Sequence, residues 1–215
     1  MVNQQDPDRD LVRRCQDVNS EEFEAAFAAL FARYRDRVYS IAYRIVGSAT
    51  DAMDVVQESF SLLFRKLASF RHDALFSTWL FRLVVNCAID HRRSQASGAW
   101  RRTGSFDPQD GGSEFEDGEA PAPLETAAQH ELGDHVQRAL MRLNPKLNAI
   151  LVLRYLQGMS YEELRDVLGI SMGTVKSRLA RAHIAIEKVL EGSLEKFGYH
   201  ADPSAVRSQR SEGLA

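Results

Sequence analysis

The chain has 215 residues, a formal net charge of −3, 44% hydrophobic residues and two cysteines. That is enough for one or two modest domains and too apolar for a fully disordered chain. Its apolar runs, such as Leu83-Val84-Val85, fall far short of the roughly 20 residues that span a bilayer. The polar, acidic start from Met1 to Asp10 does not read as a secretory leader, so a cytoplasmic protein without membrane insertion is expected. Cys15 and Cys87 show neither CxxC nor Cys/His spacing, so no metal, no disulfide framework and no cofactor are expected.

The charge is unevenly placed. Residues 1–104 carry 15 basic and 13 acidic side chains, residues 105–132 carry 8 acidic and none basic, and residues 133–215 carry 12 basic and 9 acidic. An acidic middle therefore hides two mildly basic ends, and for nucleic-acid binding the location of charge outweighs its sum.

In chain order, Phe23, Phe27, Leu30, Phe31, Tyr34, Val38, Ile41, Ala42 and Ile45 recur at steps of three and four. They form the apolar stripe of one long amphipathic helix. Gly47-Ser48-Ala49-Thr50 ends it. Ser48 or Thr50 can cap the next helix, whose positive N-terminal end suits Asp51 and Asp54. After a polar stretch from Ser69 to Ala74, Ser77 or Thr78 opens a third helix that runs to about Arg93. No segment alternates as a strand does.

From about Gln95 to Ala122, Gly, Ser, Pro, Asp and Glu dominate and apolar periodicity vanishes, which reads as a flexible acidic linker. Helical patterning resumes near Leu124 and lasts to about Leu190, ahead of a polar tail. The expected architecture is all-α. Two helical domains (8–95 and 124–192) are joined by the linker (96–123) and followed by a tail (193–215).

The sharpest local signal lies between Met159 and Arg181. Ser160 and Glu163 form an S-x-x-E capping box, so a helix begins at Tyr161. Gly169 can take the left-handed conformation that ends it, and Ser171 caps a second helix after a short turn. Leu164, Leu168, Ile170, Val175 and Leu179 can pack the two together. This is the helix-turn-helix geometry that lays the second helix in the DNA major groove. Its outer face carries Lys176, Ser177, Arg178 and Arg181, suited to phosphates and guanine edges. Ser171, Gly173 and Thr174 present free N–H groups at its start. A solvated basic face on an ordinary helical hairpin is the bland alternative.

The N-terminal half carries two further motifs. Asp51-Ala-Met-Asp-Val-Val-Gln-Glu-Ser-Phe60 resembles the D-A-x-D-x-x-Q-E-x-F helix in domain 2 of extracytoplasmic-function (ECF) sigma factors of the sigma-70 family. The run from Phe76 through Thr78, Trp79, Leu80, Arg82, Asn86 and Asp90 to Arg93 resembles the same domain's F-x-T-W-L-x-R helix. The helix-turn-helix resembles the family's domain 4.

The resemblance implies an RNA polymerase sigma factor that binds core polymerase through the β′ clamp and β flap. It would recognise the −10 and −35 promoter elements and start transcription in a stress or envelope response. An anti-sigma factor is implied as a separate inhibitor, and no enzymatic activity is implied. Under this reading Asp51, Asp54, Gln57, Glu58 and Phe60 dock on polymerase. The three carboxylates share one helix face, which suits a basic partner.

Capture of an opened −10 strand needs π surfaces, cations and amides. Phe70, Arg71, His72, Asp73, Phe76, Trp79, Arg82, Asn86, Arg92 and Arg93 are the candidates, with His91 alongside and core packing favoured for Trp79. The −35 duplex falls to Ser171, Gly173, Thr174, Lys176, Ser177, Arg178 and Arg181.

A flexible chain of about 28 residues spans roughly 26–32 Å r.m.s. and reaches about 95 Å when taut. The two elements lie about 60 Å apart, so the linker can serve both. Its carboxylates fit either a mimic of RNA in the polymerase channel or a plain tether. Two positions depart from the family pattern. Arg165 replaces an Ala and must snorkel outward or shift the helix crossing. His183 replaces an Arg, which points to a weaker or pH-dependent phosphate contact. The rivals are a stand-alone helix-turn-helix regulator and a nuclease built on the carboxylate face.

Overall fold

The computed structural model describes residues 6–97 and 123–190, which contain eight α-helices and no strand. The linker reading falls mostly, and the tail reading wholly, outside the described residues.

The first unit comprises α1 (Arg9–Gln16), α2 (Phe23–Val46), α3 (Ala49–Lys66), a 3₁₀ turn (Leu67–Ser69) and α4 (Phe76–Ala96). The stripe on α2 is its core face, with Leu30, Tyr34, Val38, Ile41, Ala42 and Ile45 buried. Val55 and Leu63 of α3 and Leu80, Val84 and Ala88 of α4 close the core. Gly47 ends α2 with φ +84° and its N–H on the Tyr43 carbonyl, a conformation glycine adopts without steric penalty. Ser48 then caps α3 by accepting from the Asp51 N–H.

Helix α1 gave no periodic signal because only Val12 and Cys15 of its eight residues are buried. Burial pushes the Cys15 thiol up to about 11, and Cys87 is a second buried free thiol. The start of α4 is the other difference. It begins at Phe76, and neither Ser77 nor Thr78 caps it. Asp6 Oδ2 accepts from the Phe76 N–H at 2.9 Å, a cap supplied from 70 residues away.

The second unit comprises α5 (Pro123–Arg142), α6 (Pro145–Leu151) continued by one π turn (Val152–Leu156), α7 (Tyr161–Leu168) and α8 (Met172–Leu190). The expected capping box is formed in both directions. The Ser160 N–H donates to Glu163 Oε2 at 2.7 Å, and the Glu163 N–H donates to Ser160 Oγ at 3.1 Å. Gly169 has φ +62° and Leu164, Val175 and Leu179 are buried. Arg165 is exposed and points outward onto Asp166 at 2.8 Å, as the snorkelling alternative requires.

The two units share one continuous apolar cluster, and a set of side-chain-to-backbone hydrogen bonds crosses the seam between them. Gln137 Nε2 donates to the carbonyls of Tyr43 and Arg44 near the end of α2, and Arg44 returns a bond to Gln137 Oε1 at 3.3 Å. Asn148, fully buried, donates to both the Arg44 and Leu140 carbonyls at 3.1 Å. Met141 packs on Gly47 so closely that a β-carbon there would come within 2.8 Å of its side chain. In the other direction, Arg92 of α4 donates to the Met141 and Leu143 carbonyls, and Arg82 donates to the Asp166 carbonyl.

Asn148→Ala removes one donor from each of two buried carbonyls, leaving the Leu143 N–H on Leu140 and Gln137 Nε2 on Arg44. The change is expected to cost about 1–3 kcal/mol, read as a lower urea midpoint.

Candidate nucleic-acid and partner interfaces

Three surfaces carry the candidate residues. The first is a groove of ≈ 620 Å³ between α2 and α3, floored by Phe27, Phe31, Phe60 and Phe64 and bordered by Asp54 and Gln57. Phe31 packs against Phe60 with centroids 4.7 Å apart and the rings tilted by 60°, and Phe64 meets Phe23 and Phe27 edge-on. Phe64 and Met53 are about half exposed. An apolar floor with an acidic and amide rim suits an amphipathic helix that carries cations.

The carboxylates do not act alike. Asp54 lines the groove and Glu58 stands exposed beside it. Asp51 is turned toward α4, where His91 Nε2 lies 3.1 Å from its Oδ1. Sequence spacing put the three on one face, but it does not show that a histidine 40 residues on engages one of them.

The second surface is the loop from Phe70 to Phe76 with α4. Phe76 is fully buried and Phe70 is 8% exposed, which corrects the expectation that both offer π faces to a base. They pack with each other and with Trp79, whose ring lies 4.9 Å from Phe70 and which stays partly exposed. Arg71 and Asp73 are exposed, and His72 sits at φ +58°. Along α4, Asn86 is exposed and Arg93 pairs with Asp90 at 3.5 Å. Arg82 and Arg92 are engaged across the seam, so the basic face of α4 is partly covered by the second unit.

The third surface is the start of α8. Ser171 Oγ accepts from the Thr174 N–H at 3.1 Å and lies 2.8 Å from the Thr174 hydroxyl. Gly173 leaves open space beside it, with nothing nearer than 3.9 Å to an added β-carbon. Lys176, Ser177 and Arg181 are exposed. Arg178 is half-buried, and that burial and Arg181 both lower its pKa. This face is cationic, as a duplex groove requires.

Sequence reasoning missed Asp6, Gln16, Gln137 and Asn148. The only available signal was Asn148, a lone amide inside the apolar run Leu147 to Leu153. His183 has a partner that the sequence did not reveal. Its Nε2 lies 2.7 Å from the Tyr155 hydroxyl, which occupies it within the unit. No three metal-ligating side chains cluster among the described residues, and no described helix is long and apolar enough to cross a membrane.

Two family models match, Sigma-70 region 2 over residues 30–98 and Sigma-70, region 4 over residues 134–183. The RNA polymerase sigma-H factor of Pseudomonas aeruginosa is 32% identical over 197 residues, covering 89% of this chain and 98% of that protein. The ECF RNA polymerase sigma-E factor of Escherichia coli K12 is 36% identical over 195 residues, covering 88% and 97%. The ECF sigma factor SigW of Bacillus subtilis is 31% identical over 173 residues, covering 77% and 89%. Among solved structures, CnrH in complex with the cytosolic domain of CnrY is similar at a TM-score of 0.61 and 27% identity, covering 86% of this chain and 98% of that one. The sigma factor RpoE of Bartonella quintana, solved with the anti-sigma factor NepR, shares the fold at a TM-score of 0.56 and 20% identity, covering 78% and 98%.

Burial holds the His183 pKa below its ordinary 6.5, against the opposing pull of Glu187. A depressed histidine favours the folded state above its unfolded pKa, and that contribution is lost as pH falls through the folded value. Thermal stability is therefore expected to drop below about pH 6.5. The drop should be shallower in His183→Gln, checked by melting curves from pH 8 to 5.

Proposed function

Since the chain belongs to the ECF group of RNA polymerase sigma factors in the sigma-70 family, we propose a division of labour between its two units. The first unit (8–95) holds core polymerase and the opened −10 strand, and the second (124–192) reads the −35 duplex. The observation that carries this reading is the separation of chemistries. The acid-rimmed aromatic groove lies on α2 and α3, the cationic face lies on α8, and the two matched regions follow in that order.

Asp54, Gln57, Glu58 and Phe60 meet the β′ clamp, and Asp51 supports them through its contact with His91. Arg71 and Asp73, on a loop shaped from beneath by Phe70 and Phe76, face the −10 strand together with Trp79 and Asn86 of α4. Arg82, Arg92 and Arg93 supply cations to the same strand. Lys176, Ser177, Arg178 and Arg181 contact the −35 groove. Ser171 and Gly173 offer N–H groups to a phosphate, whereas the Thr174 N–H is taken by the Ser171 cap and Thr174 contributes its hydroxyl instead. The β flap meets the second unit, and the linker 96–123 ties the two units together.

The chain makes no bonds itself. It acts in the cytoplasm and contributes binding energy to promoter opening, while polymerase catalyses. An anti-sigma factor is the further partner. The similar CnrH was solved with the cytosolic domain of a second protein on it.

Promoter engagement requires the seam to open. Helices α4 and α7 are in contact, whereas elements about 18 base pairs apart are separated by about 60 Å. Arg82 and Arg92 leave their carbonyl partners in that step and become available to DNA.

Start-site-specific transcription with purified core polymerase tests the reading. Asp54→Lys combined with Gln57→Ala is expected to weaken core binding at least about tenfold and leave the melting temperature unchanged. Lys176→Ala is expected to lower the salt slope of promoter binding by about 1. Tight sequence-specific duplex binding without polymerase, together with no core-dependent initiation, would favour the stand-alone regulator.

A further inference from the structure

The loop from Phe70 to Phe76 is held at both ends by the segment that precedes α2. Gln16, the last residue of α1, directs its amide nitrogen at two carbonyls, Phe70 at 2.8 Å and Leu67 at 3.2 Å. Its amide oxygen lies 3.2 Å from His72 Nε2. The amide cannot be turned round, because its oxygen would then face two acceptors. That orientation fixes the histidine as well. An amide oxygen only accepts, so His72 carries its proton on Nε2, and Nδ1 is buried without a protein partner among the described residues.

At the other end of the loop, Asp6 accepts from the Phe76 N–H. Between these two anchors His72 takes φ +58°, a conformation uncommon for any residue but glycine and sustained only where neighbours impose it. Both anchors lie ahead of residue 30, where the matched region 2 begins.

We propose that Gln16 is a positioning residue for −10 strand capture: it holds the Phe70–Phe76 loop and the His72 tautomer in the shape that receives an unstacked base. The proposal rests on the reading of this loop as the −10 contact. Gln16 touches no DNA. It removes the ordering cost that a loose loop would incur at the moment of binding.

Two variants separate the possibilities. Gln16→Leu keeps the bulk and removes all three polar contacts. Gln16→Glu keeps an acceptor for His72 and sets a carboxylate against two carbonyls. The assay is binding of holoenzyme to a short non-template −10 oligonucleotide, with each base replaced in turn. It is run beside core-polymerase affinity, −35 duplex affinity and the ¹⁵N imidazole spectrum of His72.

Both variants are expected to lose about tenfold in strand affinity and to flatten discrimination at one base position. Core and duplex affinities should stay within about twofold. The wild-type spectrum should show the Nε2–H tautomer, and Gln16→Leu a mixture. Wild-type discrimination retained undiminished in both variants overturns the role of Gln16. Absence of base discrimination in the wild type overturns the loop reading, and Gln16 with it. If Gln16→Leu fails to fold, Gln16→Glu and Asp6→Asn decide by the same measurements.

Discussion

The second unit covers the end of α2, where the Arg44 carbonyl has to be paired and the Tyr43 carbonyl already accepts from the Gly47 N–H. Gln137 and Asn148 provide the donors. In return, α4 sends Arg82 and Arg92 to carbonyls at the ends of α7 and α5, where the negative end of each helix dipole favours a cation. This reciprocal exchange decides which faces of the chain are open. It covers part of the basic edge of α4 and leaves the groove of α2 and α3 and the cationic start of α8 uncovered. Because its bonds run from side chains to backbone, water can replace many of them at modest net cost.

The first unit shows how one aromatic family serves two ends. Phe70 and Phe76 are sealed inside, where they support the loop and the inner face of Trp79. Phe31, Phe60 and Phe64 line a surface groove instead. Exposed aromatic area of that kind is tolerated where a partner covers it. The polar rim supplied by Asp54 and Gln57 makes such a partner selective, since an uncharged or acidic helix would leave Asp54 desolvated without compensation.

Much of this was legible in the sequence because it is local. The stripe on α2, the Gly47 stop, the Ser160–Glu163 box and the Gly169 turn are written within a few residues of where they act, and all are found in the fold. What was not legible depends on distant neighbours. The cap of α4 comes from Asp6, and Asp51 meets a histidine one helix away. Phe70 and Phe76 read as surface π groups because loop aromatics carry no burial pattern. Gln16 ends a helix too short to show periodicity, and its three partners lie more than 50 residues on.

The π turn at Val152–Leu156 takes one residue more than a regular helical turn, closing with the Gln157 N–H on the Val152 carbonyl. Arg154 steadies the exit by donating to the Met159 carbonyl. One surplus amino acid swings everything downstream by roughly 100° about the axis. The azimuth at which α7 and α8 leave the bundle is thus stored in a single-residue insertion. A lineage that lost it would keep both helices yet aim them elsewhere.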